Sequence, residues 1–142
     1  MPTTGACFCG AVRYAVSGPV YHVTVCHCPT CRRVSGAASV AWFSAAVADI
    51  TWSGVPPAMM RSSEHVSRGF CAACGTSLSY QADDSRHELD ITVCSLDDPT
   101  ALTPLDHTWT RYRLPWDVIG DSLPRYPTIR AEGVGDEAQP GS

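Results

Sequence analysis

The sequence predicts an all-β fold on three observations. Short runs of β-branched and aromatic residues recur along the chain, and several alternate apolar with polar positions. Glycine, proline, aspartate and serine punctuate those runs at short intervals, the pattern of antiparallel strands joined by tight turns. Only one segment, residues 31–38, has the composition of a helical turn.

Taken in order, Val12, Tyr14 and Val16 alternate with Ala11, Arg13 and Ala15, and Ser17-Gly18-Pro19 then turns the chain. A second β-branched and aromatic run covers 20–26. Further strands are expected over 39–43 and 50–52, followed by a loop at Gly54-Val55-Pro56-Pro57. The remaining strands fall at 58–62, 66–70, 76–81, 89–95 and 107–113, with Asp97-Asp98-Pro99 as a capped turn. From Thr128 onward the residues are small, polar or charged and cannot supply a packed core. One domain is therefore expected over 1–127, with a disordered tail over 128–142.

Composition narrows the function classes. Apolar residues make up 44% and charged residues 17% of 142 residues, ordinary for a soluble domain that can build a core. No apolar run approaches the length of a membrane span. The formal charge is −4. Such a surface disfavours a nucleic-acid partner, which needs a basic face. All ten basic residues are arginine, whose planar fork suits carboxylates.

Seven of the eight cysteines fall into three clusters: Cys7-x-Cys9, Cys26-x-Cys28-x-x-Cys31 and Cys71-x-x-Cys74. Structural zinc takes four protein ligands, whereas catalytic zinc keeps three and leaves a position open, so seven divides as four and three. Residues two apart in a strand share a face, which lets Cys7 and Cys9 reach one ion. Cys71-Ala72-Ala73-Cys74-Gly75 reads as a tight turn presenting two thiolates, with Gly75 supplying backbone freedom. Neither pair completes a site alone; one pair with the other does. The middle cluster supplies three sulfurs, with Pro29 stiffening the turn. A disulfide framework is the competing reading of an even cysteine count. It is disfavoured because same-face neighbours make poor partners, and because Met1 to Ala6 shows no secretory signal. Reduced thiols and a cytoplasmic location are expected. Cys94 is expected to be a small buried hydrophobe, with a fourth-ligand or reactive-thiol role left open.

The ordered motifs resemble the glutathione-dependent formaldehyde-activating enzyme family, also called the centromere protein V-like family. They are Gly5-Ala6-Cys7-Phe8-Cys9-Gly10, Cys26-His27-Cys28-Pro29-Thr30-Cys31-Arg32-Arg33, Arg61-Ser62-Ser63, Arg68-Gly69-Phe70-Cys71-Ala72-Ala73-Cys74-Gly75-Thr76, Leu96-Asp97-Asp98-Pro99, His107, Trp116 and Asp121-Ser122-Leu123-Pro124-Arg125-Tyr126. The resemblance implies an Mss4-like β-tent of small antiparallel sheets gripping zinc, with two zinc ions per chain. It matches Cys7, Cys9, Cys71 and Cys74 to a structural zinc, and Cys26, Cys28 and Cys31 to a catalytic one. It also implies carbon–sulfur lyase chemistry, the formation or cleavage of S-hydroxymethylglutathione from glutathione and formaldehyde or a related thiol–aldehyde pair.

Other residues are weighed singly. Arg32 and Arg33 flank the triple cluster and either hold glutathione carboxylates or form a solvated pair offsetting thiolate charge. His27 points away from Cys26 and Cys28 if the segment is extended, which favours a neighbour of the site over a ligand. His107 is expected as a hydrogen-bonded strand histidine. Arg61, Ser62, Ser63 and Arg68 suit a structural role at least as well as substrate contact. Trp42, Phe43, Trp109 and Trp116 are expected in core or pocket wall. Two further function classes stand beside the enzyme: a non-catalytic zinc module binding a protein, and a glutathione carrier or redox sensor.

Overall fold

The computed structural model describes residues 2–130. Ten strands and one short helix make up its regular structure: β1 (Thr3–Ala6), β2 (Val12–Val16), β3 (Val20–Cys26), α1 (Pro29–Ser35), β4 (Val40–Ala46), β5 (Ile50–Gly54), β6 (Ala58–Ser63), β7 (Val66–Phe70), β8 (Ser77–Ala82), β9 (Glu88–Thr92) and β10 (Asp106–Thr108). The all-β class expected from the alternating runs holds. No helix is long and apolar enough to cross a membrane among the described residues.

The contacts divide the chain into two compact units. Unit 1 comprises residues up to His22 together with Phe43–Leu102. It contains a three-stranded sheet of order β1-β2-β5, built from antiparallel pairs, and a run of order β4-β9-β8-β7-β6. The alternation read in β2 is realised, because Val12, Tyr14 and Val16 are buried while Arg13 is exposed. They join Phe43, Leu78 and Ile91 among the buried residues. The Tyr14 hydroxyl lies 2.7 Å from Ser95 Oγ, so its one polar atom is satisfied in the core. In the β6–β8 hairpins, Arg61 pairs with Asp83 at 2.8 Å. Arg68, buried, donates to Ser62 Oγ at 2.9 Å and stacks on Tyr80. These motif residues brace strands.

Unit 2 comprises Val23–Trp42 and the chain from Thr103 onward. Here β10 pairs with β3 in parallel, His107 facing Val25 and Thr108 facing Cys26. This departs from the purely antiparallel sheets expected. No hairpin joins the two strands, and the long connection between them frees their relative direction. The centre of unit 2 is polar, with His27, Asp106, His107, Thr108 and Thr110 all buried.

Three local expectations are corrected. The helix begins at Pro29 rather than Cys31, because Cys28 caps it, Pro29 occupies its first turn and Gly36 closes it in the left-handed conformation. The strand expected over 89–95 ends at Thr92, and the one over 107–113 ends at Thr108, each giving way to a 3₁₀ turn. β1 has no apolar alternation to announce it and exists through its pairing with β2. Near the end of the described residues, Thr128 O accepts from Trp109 N, and Arg130 forms a two-pronged pair with Asp106 at 2.5 and 2.9 Å. Residues 131–142 of the expected tail lie outside the described residues.

Candidate functional site

In unit 1 the chain between β1 and β2 turns at Cys7-Phe8-Cys9-Gly10. Gly10 N donates to Cys7 O at 3.1 Å, Cys7 N to Val12 O at 3.0 Å, and Val12 N to Cys7 Sγ at 3.3 Å. Cys7 and Cys9 therefore share a turn, not the strand face expected of them, and the turn is what aims both sulfurs the same way. Cys71 to Gly75 repeats the device: Gly75 N donates to Cys71 O at 2.7 Å and Cys71 N to Thr76 O at 3.0 Å. Gly10 and Gly75 sit at φ of 78° and 83°, where a side chain would strain the backbone. Thr76 links the two turns, its Oγ1 accepting from Phe8 N at 2.9 Å and lying 3.2 Å from Cys74 Sγ. Its place in the motif gave no hint of that role.

The four sulfurs of Cys7, Cys9, Cys71 and Cys74 all lie within 4.8 Å of one another. Cys7 and Cys9 are 3.6 Å apart, and Cys9 and Cys71 are 3.8 Å apart. A tetrahedron of sulfurs about 2.3 Å from a central zinc has edges of about 3.8 Å, so the spacing suits that ion. The electrostatics agree. The Thr76 hydroxyl, helped by the Thr76 and Cys9 backbone, lowers the Cys74 thiol to about 5. Cys9 has the Ala11 N–H in its favour, but the neighbouring sulfurs push it up to about 11. Four thiolates this close repel one another, and a central cation relieves that repulsion.

The second group lies in unit 2. Cys26 ends β3, Cys28 is the N-cap of α1, and Cys31 is buried within the helix. Cys31 N donates to Cys28 Sγ at 3.3 Å, so one sulfur takes the place of the usual capping oxygen. The three sulfurs also lie within 4.8 Å of one another. Close contact with Cys28 and Cys31, together with burial, raises the Cys26 thiol well above its ordinary range. Either group can hold a metal ion, the first with four thiols and the second with three. Cys26 and Cys31 are buried whereas Cys28 is partly exposed.

His27 falls outside the sulfur group, as its opposite orientation implied. Its ring is 1% exposed and Nε2 lies 2.9 Å from His107 Nδ1. His107 Nε2 in turn meets both carboxylate oxygens of Asp121, at 3.1 and 3.0 Å. Burial and then the neighbouring His107 depress His27 to about 4, so it is neutral at pH 7. Asp121 is opposed by partial burial, yet the His107 ring and Leu123 N–H hold it below the ordinary carboxylate range. His27 and His107 were weighed singly in the sequence; the parallel β3–β10 register brings them together, and the loop that holds Asp121 adds the carboxylate.

Beside α1 is an open cavity of about 360 Å³ lined by Pro29, Arg32, Arg33, Ala37, Leu114 and Trp116, among others. Arg32 Nη1 donates to Tyr112 O at 2.6 Å, which commits part of its fork to the fold. Arg33 is exposed, and Trp116, 72% exposed, forms a pocket wall. Trp42 and Phe43 are core residues. Cys94 is exposed rather than buried and belongs to neither sulfur group among the described residues.

Comparison with known proteins agrees with this architecture. The family model described as glutathione-dependent formaldehyde-activating enzyme matches residues 2–112. No curated protein matches the chain. A Rhodobacter sphaeroides protein of known crystal structure superposes with a TM-score of 0.59 at 23% identity, over 74% of this chain and 99% of that one, a likeness of fold. With two sulfur groups on a β-sheet framework and a family match over residues 2–112, the chain belongs to the glutathione-dependent formaldehyde-activating enzyme family.

Proposed function

We propose that the protein is a cytoplasmic, zinc-dependent carbon–sulfur lyase-type enzyme that forms or cleaves S-hydroxymethylglutathione, or the adduct of a related thiol and aldehyde. The observation that carries this reading is the three-thiol group, which the end of β3 and the start of α1 assemble; the same helix presents Pro29, Arg32 and Arg33 to an open cavity that none of the three cysteines lines. Cys7, Cys9, Cys71 and Cys74 would hold a structural zinc, and Cys26, Cys28 and Cys31 a second one. The second ion would supply acidification of an incoming thiol or polarisation of a carbonyl oxygen.

The chain's own residues supply the rest. Cys26 and Cys31, both buried, form the closed side of the site, and Cys28 leaves the approach open. Arg33 offers its guanidinium to a glutathione carboxylate, with Arg32 contributing what its bond to Tyr112 leaves free. Trp116 gives an apolar wall against which the peptide lies.

NMR exchange between glutathione and ¹³C-formaldehyde tests the reading. The protein should accelerate exchange between free and adduct carbon, and Cys28→Ser should abolish that acceleration while the fold persists. An exchange rate equal with and without protein removes the activity.

A further inference from the structure

The chain of contacts Asp121–His107–His27 ends between two of the candidate ligands, because His27 lies between Cys26 and Cys28 in sequence. Its backbone is held as well: His27 N donates to Thr108 O at 3.0 Å. His107 is fixed from both sides, N donating to Pro124 O and O accepting from Tyr126 N, each at 2.9 Å. The direction of the ring bonds follows from the far end. An ionised Asp121 only accepts, so His107 Nε2 donates to it. At the other end of the ring, His107 Nδ1 accepts from His27 Nε2–H, because the reverse direction would leave a buried N–H on His27 Nδ1 with no acceptor. That leaves the lone pair of His27 on Nδ1, a buried atom with no hydrogen-bond partner.

We propose that Asp121 is a positioning residue for the second sulfur group: through His107 it fixes the tautomer and orientation of the His27 ring, and so the peptide that carries Cys26 and Cys28. Hydrogen-bonded partners of this kind set how well ligands stay in place around a metal, and their loss typically costs about 10–100-fold in affinity. Here the partner acts on the segment between the ligands. Asp121 is suited to a clean test because its side chain is 45% exposed, so truncation leaves no deep cavity. The inference rests on Cys26, Cys28 and Cys31 holding a metal.

The test uses the full, zinc-loaded chain labelled with ¹⁵N. Long-range ¹⁵N–¹H correlation at pH 7 should show both His27 and His107 protonated on Nε2, with His27 Nδ1 bare. Zinc release to a chelator should have a fast phase that Cys28→Ser removes. In Asp121→Ala that phase should accelerate about 10–100-fold, the slow phase of the four-thiol group should not change, and His27 should lose its single tautomer. Asp121→Asn keeps the shape, and its amide oxygen at the Oδ1 position can still accept from His107 Nε2 and Leu123 N, but its NH2 then faces the ring N–H that Oδ2 accepted from, so a smaller acceleration is expected. A wild-type His27 protonated on Nδ1 overturns the inference, as does unchanged fast release in Asp121→Ala. Equal acceleration of both phases overturns it too, by showing general loosening of the fold. A wild type holding no second metal overturns the functional reading and the positioning role with it, whereas a wrong tautomer with the metal in place overturns the inference alone.

Discussion

Removing one thiol from each sulfur group should have unequal consequences for stability, and chain topology gives the size of the difference. The first group joins distant segments: Cys9 and Cys71, 3.8 Å apart, are separated by 62 positions. A bond that closes a loop of that length removes roughly 4 kcal/mol of conformational freedom from the unfolded chain, by the logarithmic dependence of closure entropy on length. The second group lies within Cys26 to Cys31, where the same relation gives roughly 2 kcal/mol for a loop of about five residues. Part of even that is already present, since Pro29 and the Cys28 cap fix the turn without a metal. The proposed assignment of zinc to both groups therefore expects Cys74→Ser to destabilise the chain by about 4 kcal/mol or more, and Cys28→Ser by about 2 kcal/mol or less. Urea unfolding at fixed zinc concentration, followed by tryptophan fluorescence and far-ultraviolet circular dichroism, measures both. Zinc content by mass spectrometry gives the accompanying stoichiometry. Equal losses in the two variants, or a larger loss in Cys28→Ser, would refute the division into scaffold and open site.

Two further outcomes are expected. His27 should remain neutral far into acid: with its folded pKa near 4 and an unfolded value of about 6.5, the unfolded chain binds the proton first, and stability falls as the pH drops from 6.5 to 4. The loss totals about 3 kcal/mol, and ring titration by NMR checks it, a midpoint above pH 5.5 being contrary to the burial described. Arg33→Ala should raise KM for glutathione up to about fivefold with kcat unchanged, as expected for an exposed carboxylate contact used equally in ground and transition states. A fall in kcat at constant KM would place Arg33 in the chemistry instead.

Much of the site was legible because cysteine spacing reports local geometry. The grouping into four and three thiols follows from which sulfurs can reach one centre, and the structure brings together the sets read from the sequence. The means were misread for Cys7 and Cys9. Alternation suggested a strand, but a glycine immediately after the second cysteine marks the same turn as at Cys71–Gly75, and Gly10 at positive φ is its signature. The strands of unit 1 were visible where one face is buried, as in β2, and invisible where pairing alone makes the strand, as in β1. Cys94 followed neither pattern: an apolar neighbourhood in sequence placed it in a core, yet the 3₁₀ turn at Val93–Ser95 rotates it outward.

The histidine chain was illegible for a different reason. His27 and His107 are 80 positions apart, and nothing in either neighbourhood points to the other. Their meeting depends on β10 lying parallel to β3 in one register, Thr108 opposite Cys26. A slip of one residue would turn His107 to the other face of the strand and break the contact with His27. Two buried imidazoles cannot both be charged at so short a distance, so the pair is tolerable only while at least one ring stays neutral and a carboxylate orders their protons. Asp121 supplies that ordering from a loop whose earlier residues, Leu114 and Trp116, line the cavity. The same loop thus contributes a wall to the cavity and a fixed point to the peptide that carries two of the three thiols, which is why its sequence matters to the site although it holds no ligand.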